Sequence, residues 1–289
     1  MDDSLPPNLR EWLADAFMAF EPPDDSGLRP VRIQWGPQVQ PLAGPASRKR
    51  IQAGGVELEF VQPVRASPVT DNRFELIDRD AASGCNVSVS SGEPWALSCW
   101  GPAPQAAAYL AITECFRSQA WLSLHASASV DPGEAVRGAR LVLGRSGAGK
   151  SCDLLARLHQ GCLPLGEDRV WLNARTLLAV ARDTSIRIHP SMVRVFPILE
   201  GCPSRVHADG KLCIDLDDLA VIPSAPATVI LILEARQPAH SSLLALTRLL
   251  WQAAGLPLTA QGRLWAQQGV SRLLALVLAP TADESGLYR

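Results

Sequence analysis

Lysine is nearly missing from this chain: of 27 basic side chains only Lys49, Lys150 and Lys211 are lysines, and the rest are arginines. A sequence so biased toward arginine places a lysine where a slim, phosphate-seeking ammonium is wanted, which singles out Lys150 and, for the same reason, Lys211. An excess of positive charge is missing too. The net charge is −2 and no basic stripe is interleaved with aromatics, which argues against a nucleic-acid partner. Arg48-Lys49-Arg50 is short and reads as a solvated loop. No apolar run approaches the ~20 residues that span a membrane. The start, Met1-Asp2-Asp3-Ser4, lacks the basic region and apolar core of a signal peptide. The seven cysteines (85, 99, 115, 152, 162, 202 and 213) include no C-x-x-C pair, and several sit in apolar runs as small hydrophobes. His159 and Cys162 have nothing with which to complete a zinc site. These gaps together predict a reduced, cytoplasmic protein without structural zinc, membrane partner or nucleic-acid partner.

What is present is a globular composition, 47% hydrophobic and 19% charged, in 289 residues, enough for one large domain or two small ones. Leu9, Trp12, Leu13, Ala16, Phe17 and Phe20 fall at helical spacing after Pro6-Pro7, predicting an amphipathic helix that docks on the body. Short alternating segments follow: 31–33, 56–61, 74–77 and 86–89. They predict a small antiparallel sheet, with Pro37 to Gly55 as a loop. A helix is expected over Ala106 to Phe116. Strands are expected at 121–125, 139–143 and 228–233, with a hairpin at 169–172 and 177–181. C-terminal helices are expected at 241–251 and 264–278, the second broken near Gly269. The expected division is 1–103, a helix plus a small β region, and 104–289, a nucleotide-binding domain.

Gly144-Arg145-Ser146-Gly147-Ala148-Gly149-Lys150-Ser151 is a complete G-x-x-x-x-G-K-S phosphate-binding loop. A buried-strand run, Ala139 to Leu143, enters it, and a helical run from Cys152 to Leu158 leaves it, which is the setting the motif requires. The glycines let backbone N–H groups converge on phosphate oxygens at the positive end of a helix. Lys150 is expected to reach the terminal phosphates and the Ser151 hydroxyl to hold magnesium.

Around the loop stand Leu124-His125-Ala126-Ser127-Ala128-Ser129 upstream, and Leu163-Pro164-Leu165-Gly166-Glu167-Asp168-Arg169-Val170 downstream. In this order the sequence resembles the HPr kinase/phosphorylase superfamily, including HPr-kinase-related members that modify precursor peptides of ribosomally made natural products. The firm part of the resemblance covers residues 120–173. A weaker part continues through Ile188-His189-Pro190-Ser191, Arg194-Val195-Phe196-Pro197 and Asp209-Gly210-Lys211.

The resemblance implies an α/β fold with a P-loop nucleotide-binding core of the HPr-kinase/carboxykinase type, preceded by a smaller, mainly β region. It implies ATP and Mg²⁺ as cofactors and transfer of the γ-phosphate to a serine hydroxyl of a protein or peptide. An extended peptide would suit addition at an edge of the N-terminal sheet. Glu167 falls on the catalytic base and Asp168 on the second acid, beside the metal with Ser151; His125 falls on the histidine that partners these acids. Cys152 closes the nucleotide-binding stretch. Arg194 and Lys211 are candidates for gripping the transferred phosphate or an acidic substrate.

Two departures stand out: Glu167 stands where the family has Asp, which weakens phosphorylase activity as an expectation, and Cys152 stands where Thr or Glu is commoner, which removes a phosphate-side contact without endangering the loop. Glu234, closing the apolar run Thr228 to Leu233, is a rival metal ligand of the Walker B kind. Asp215, Asp217 and Asp218 read as a solvated loop. A small-molecule kinase or carboxykinase-like enzyme, and a nucleotide-binding sensor without transfer, remain as alternatives. The sequence leaves the oligomeric state open, a homo-oligomer included.

Overall fold

The computed structural model describes residues 5–17, 28–36, 45–53, 55–64, 71–90, 93–131, 138–181, 185–199, 201–207, 210–215, 224–233 and 242–278. The described residues form a mixed α/β structure with three sheets. Among the described residues no helix is long and apolar enough to cross a membrane. The chain divides into two compact units. The first comprises Met1–Met18, Pro22–Ala120 and Pro257–Trp265; the second comprises Ala19–Glu21, Trp121–Leu256 and Ala266–Arg289.

The first unit contains α1 (Pro7–Phe17), β1 (Val31–Trp35), β2 (Ala46–Ala53), β3 (Val56–Pro63), β4 (Asp71–Asp78), β5 (Ser83–Ser90), β6 (Trp95–Trp100) and α2 (Gln105–Arg117). Its sheet has the order β1-β6-β5-β4-β3-β2, antiparallel throughout except that β1 runs parallel to β6. Leu5, Leu9 and Leu13 recur at four-residue spacing, so one face of the α1 segment is buried, as the apolar pattern predicts. They join Phe60, Phe74, Leu76, Val87 and Leu97 of the strands and Ala108, Ala111 and Ile112 of α2 in one core. Each such buried leucine or phenylalanine contributes about 1.5–3 kcal/mol. Phe20 lies outside the described residues.

One expectation needs correction here. Residues 46–53 form β2, not a loop: polar edge strands lack the alternating apolar signal because neither face is deeply buried. Arg48 and Arg50 reach across to Glu59 and Glu57, and Arg79 adds a second partner for Glu59. Burial pushes the Glu59 carboxyl up, but hydrogen bonds from Arg79 and Arg48 leave it below its ordinary value. The first compact unit runs on to Ala120, and α2 within it packs on β4, β5 and β6.

The second unit contains β7 (Trp121–Val130), β8 (Ala139–Gly144), α3 (Lys150–His159), β9 (Leu163–Gly166), β10 (Arg169–Asn173), β11 (Leu178–Val180) and β12 (Ser185–Ile188). It continues with β13 (Ser204–Val206), β14 (Leu212–Asp215), β15 (Ser224–Leu233), α4 (Leu243–Ala254) and most of α5 (Ala260–Leu278). Its larger sheet has the order β10-β11-β15-β8-β7-β9, and β10 also pairs with β7, so the ladder closes on itself. β8 is parallel to β15 and antiparallel to β7.

The three-stranded sheet β12-β14-β13 packs Ile186, Ile188 and Ile214 against Leu154, Leu155 and Leu158 of α3. That contact seats a second structural layer beside the glycine-rich loop from which α3 starts. Asp215 ends β14, opposite Ser185, instead of lying in a loop; Asp217 and Asp218 fall outside the described residues. Helix α5 runs unbroken through Gly269. A Cβ there would stand 2.3 Å from Leu122 Cδ1, so the glycine permits close helix–strand approach and not a break.

Candidate active site

The loop between β8 and α3 has the backbone its glycines permit. Gly147 and Gly149 take φ of +78° and +103°, conformations an L side chain disfavours. The turn closes through Ala148 N–H donating to Arg145 O at 3.1 Å. Gly149 is the N-cap of α3, so Lys150 and Ser151 occupy its first turn, whose N–H groups have no partner within the helix.

The second element is a bend. β9 and β10 both pair antiparallel with β7; after a one-residue shift within β9, Gly166 and Arg169 are in step with each other across an interruption at Glu167-Asp168. Gly166 faces Ala128 and Arg169 faces His125, so the two acids emerge beside His125 in what is otherwise one strand. Gly166 itself admits no Cβ, which would stand 2.8 Å from the Ala181 methyl.

The side chains that meet there form two linked groups. The Ser151 hydroxyl donates to Glu167 Oε1 at 2.7 Å, and Glu167 is buried. The Lys150 ammonium donates to Gly144 O at 3.1 Å and Arg145 O at 3.3 Å, and lies 2.9 Å from His125 Nε2. His125 Nδ1 is 3.1 Å from Asp168 Oδ1, and Asp168 Oδ2 is 3.1 Å from the Arg187 guanidinium. Nε2 facing an ammonium must accept, so the geometry assigns His125 the neutral tautomer with the proton on Nδ1, donated to Asp168.

Burial lowers the Lys150 pKa, while the charges of Asp168 and Glu167 oppose that shift. Asp168 is held down to about 2, chiefly by its hydrogen bond from His125, with the Arg187 and Arg169 charges adding to it and burial opposing it.

These groups line one pocket of about 560 Å³. Ser146, Gly147, Gly149, Lys150, Ser151 and Cys152 line it from the loop and the start of α3, and His125, Glu167 and Asp168 line it from β7 and the bend. No protein-family model matches the chain, and no curated protein matches it.

Gly144, Arg145 and Ala148 shape the loop through their backbones and do not line the pocket, although the first two carbonyls hold Lys150. Lys211, at the start of β14, reaches the lining. Arg194 does not: the turn after Pro190–Met192 packs Met192, Val193 and Phe196 against the small core and leaves Arg194 exposed.

The acids also pair differently from expectation. Ser151 meets Glu167, and His125 meets Asp168, because the bend sends the two consecutive side chains to opposite sides. Glu234 lies outside the described residues.

Arg187 and His189 line the pocket without having been singled out as site residues. The signal was the alternation Ser185-Ile186-Arg187-Ile188, in which the isoleucines are buried and Arg187 is exposed.

Among the described residues no group of three or more His, Cys, Asp or Glu converges as a metal cage. The donors that do converge, the Ser151 hydroxyl and the Glu167 carboxylate, are hard oxygens. Hard oxygen donors of this kind are the ligand type that magnesium takes.

Proposed function

We propose that this protein is an ATP- and Mg²⁺-dependent kinase of the HPr-kinase type, transferring the γ-phosphate to a serine hydroxyl of a protein or peptide. One observation carries the reading. A buried lysine, a helix-first-turn serine and two carboxylates of a bent strand converge on a single glycine-lined pocket. Phosphoryl transfer needs little else: phosphate charge neutralised, and a hydroxyl aligned and relieved of its proton.

The loop amides and Lys150 would grip the β- and γ-phosphates, with Lys150 exchanging His125 Nε2 for phosphate oxygen. Ser151 and Glu167 would hold the magnesium, which would supply neutralisation of phosphate charge. Asp168, oriented by the Nδ1–H of His125, would accept the hydroxyl proton as the new O–P bond forms and ADP departs. Asp168 is a weak base, but the loose transition state leaves little charge on the attacking oxygen, so placement matters more than basicity. In this assignment the two acids exchange the duties the family resemblance gives them.

The test pairs calorimetry with transfer to serine peptides, assayed against free serine, sugars and oxaloacetate. Glu167→Gln is expected to abolish the Mg²⁺-dependent gain in ATP affinity. Asp168→Asn is expected to keep that gain and lose transfer. The opposite pattern returns the acids to their family roles. Tight ATP binding with no product on any acceptor would favour the sensor reading.

A further inference from the structure

The Lys150–His125–Asp168–Arg187 chain has a direction. Lys150 belongs to the glycine-rich loop, and Arg187 lies beyond Asp168 at the opposite end. Arg187 does not stand alone there. Arg187 is on the exposed side of β12 and the exposed His189 directly follows the strand, since Ile186 and Ile188 turn inward to α3. β12 and β14 pair Arg187 with Cys213 and Ile188 with Leu212, so the next positions along the ladder are His189 and Lys211. Two backbone hydrogen bonds tie down this end: His207 N–H donates to Lys211 O at 2.8 Å, and Gly210 N–H donates to His207 O at 2.9 Å.

His189 Nδ1 lies 3.3 Å from the Ser191 backbone N–H and 2.8 Å from its hydroxyl. A nitrogen that accepts the backbone N–H carries no proton, so the imidazole bears its proton on Nε2 and is a donor there. All three residues line the pocket.

We propose that Arg187, His189 and Lys211 form an anion-binding subsite on the acceptor side of the pocket, selecting a peptide whose serine has a carboxylate side chain next to it. The proposal rests on the kinase reading for the word acceptor, but the binding preference is measurable without transfer. A guanidinium, an imidazole N–H and an ammonium are complementary to a carboxylate. In the free protein Asp168 already supplies one carboxylate to Arg187, in effect a stand-in for the ligand group.

The probe is two pools of fluorescent peptides with a single serine, flanked in one pool by Asp or Glu and in the other by Asn or Gln. Each is titrated into the full chain loaded with Mg-ADP. The acidic pool is expected to bind about tenfold tighter, the least that one charge-assisted hydrogen bond supplies. Lys211→Gln and His189→Gln are each expected to shrink that ratio, and Lys211→Arg to restore it; thermal unfolding checks that each variant folds.

Equal binding of the pools by the unsubstituted chain overturns the proposal. So does a ratio that survives both glutamine substitutions, or a loss of Mg-ADP affinity in Lys211→Gln, which would give the cluster to the nucleotide. Acid preference without transfer, once ATP replaces ADP, would sink the kinase reading and leave the subsite standing. Transfer without preference would do the reverse.

Discussion

Each unit of the molecule carries a network of charged side chains, and the two are built on opposite plans. In the first, Glu114 is fully buried and both of its oxygens are engaged. Oε1 accepts the Thr259 N–H and hydroxyl at 2.8 and 2.6 Å, and Oε2 accepts Arg117 at 2.6 Å. In the second, the His125 and Asp168 side chains are 44% and 39% exposed on a pocket. There Lys150 is held by an imidazole and two carbonyls, partners that a phosphate can replace. A carboxylate whose two oxygens are both engaged and sealed from water can only hold the chain together. An open network whose partners are exchangeable can trade them for a ligand.

The largest effect should come from breaking the sealed network. Glu114→Ala leaves Arg117, only 5% exposed, without its carboxylate, at a cost of about 3–5 kcal/mol in urea unfolding. Nucleotide affinity of the folded protein should not change. A loss below about 1 kcal/mol would mean the pair behaves as an exposed one.

Lys150→Met should show the reverse pattern. Transfer should fall about 10²–10³-fold, as for removal of one donor aimed at developing charge, and folding stability should hold or rise. The sign follows from the lowered pKa: burial disfavours the charged lysine in the folded state, so removing the charge removes a cost. A clear loss of stability in this variant would erase the distinction between the two networks.

How much of this was legible in the sequence follows the same division. The glycine-rich loop could be read directly, because its residue types are dictated by backbone conformation and by the helix N-terminus that follows. The convergence of His125 with Asp168 depends on a register that keeps step across the 167–168 bend, and no local pattern encodes that. The family resemblance put Ser151 with Asp168 at the metal, whereas the bend puts it with Glu167. Arg187 and His189 were visible only as polar positions in and just after a short alternating strand; their place on the pocket comes from packing of β12 on α3. β2 was missed for a related reason. Its stabilising partners, Glu57 and Glu59, lie on another strand, and its own residues are as polar as a loop's.

The smallest effect tests how little stability the open network contributes. Asp168 titrates near 2 in the folded protein against an ordinary 3.8. A depressed carboxyl stabilises above its unfolded value, and that contribution is lost as pH falls toward the folded value. With the side chain 39% exposed, solvent screening reduces the contribution to about 1 kcal/mol, of which about half should be gone by pH 3. The measurement is the difference in unfolding free energy between the natural chain and Asp168→Asn, followed from pH 6 down to pH 3. Glu59 also titrates below its ordinary value but is common to both proteins, so it cancels in the difference. A difference that narrows by about 0.5 kcal/mol supports an electrostatically tuned but energetically cheap network. A difference several times larger would mean that Asp168 holds the second unit together much as Glu114 holds the first.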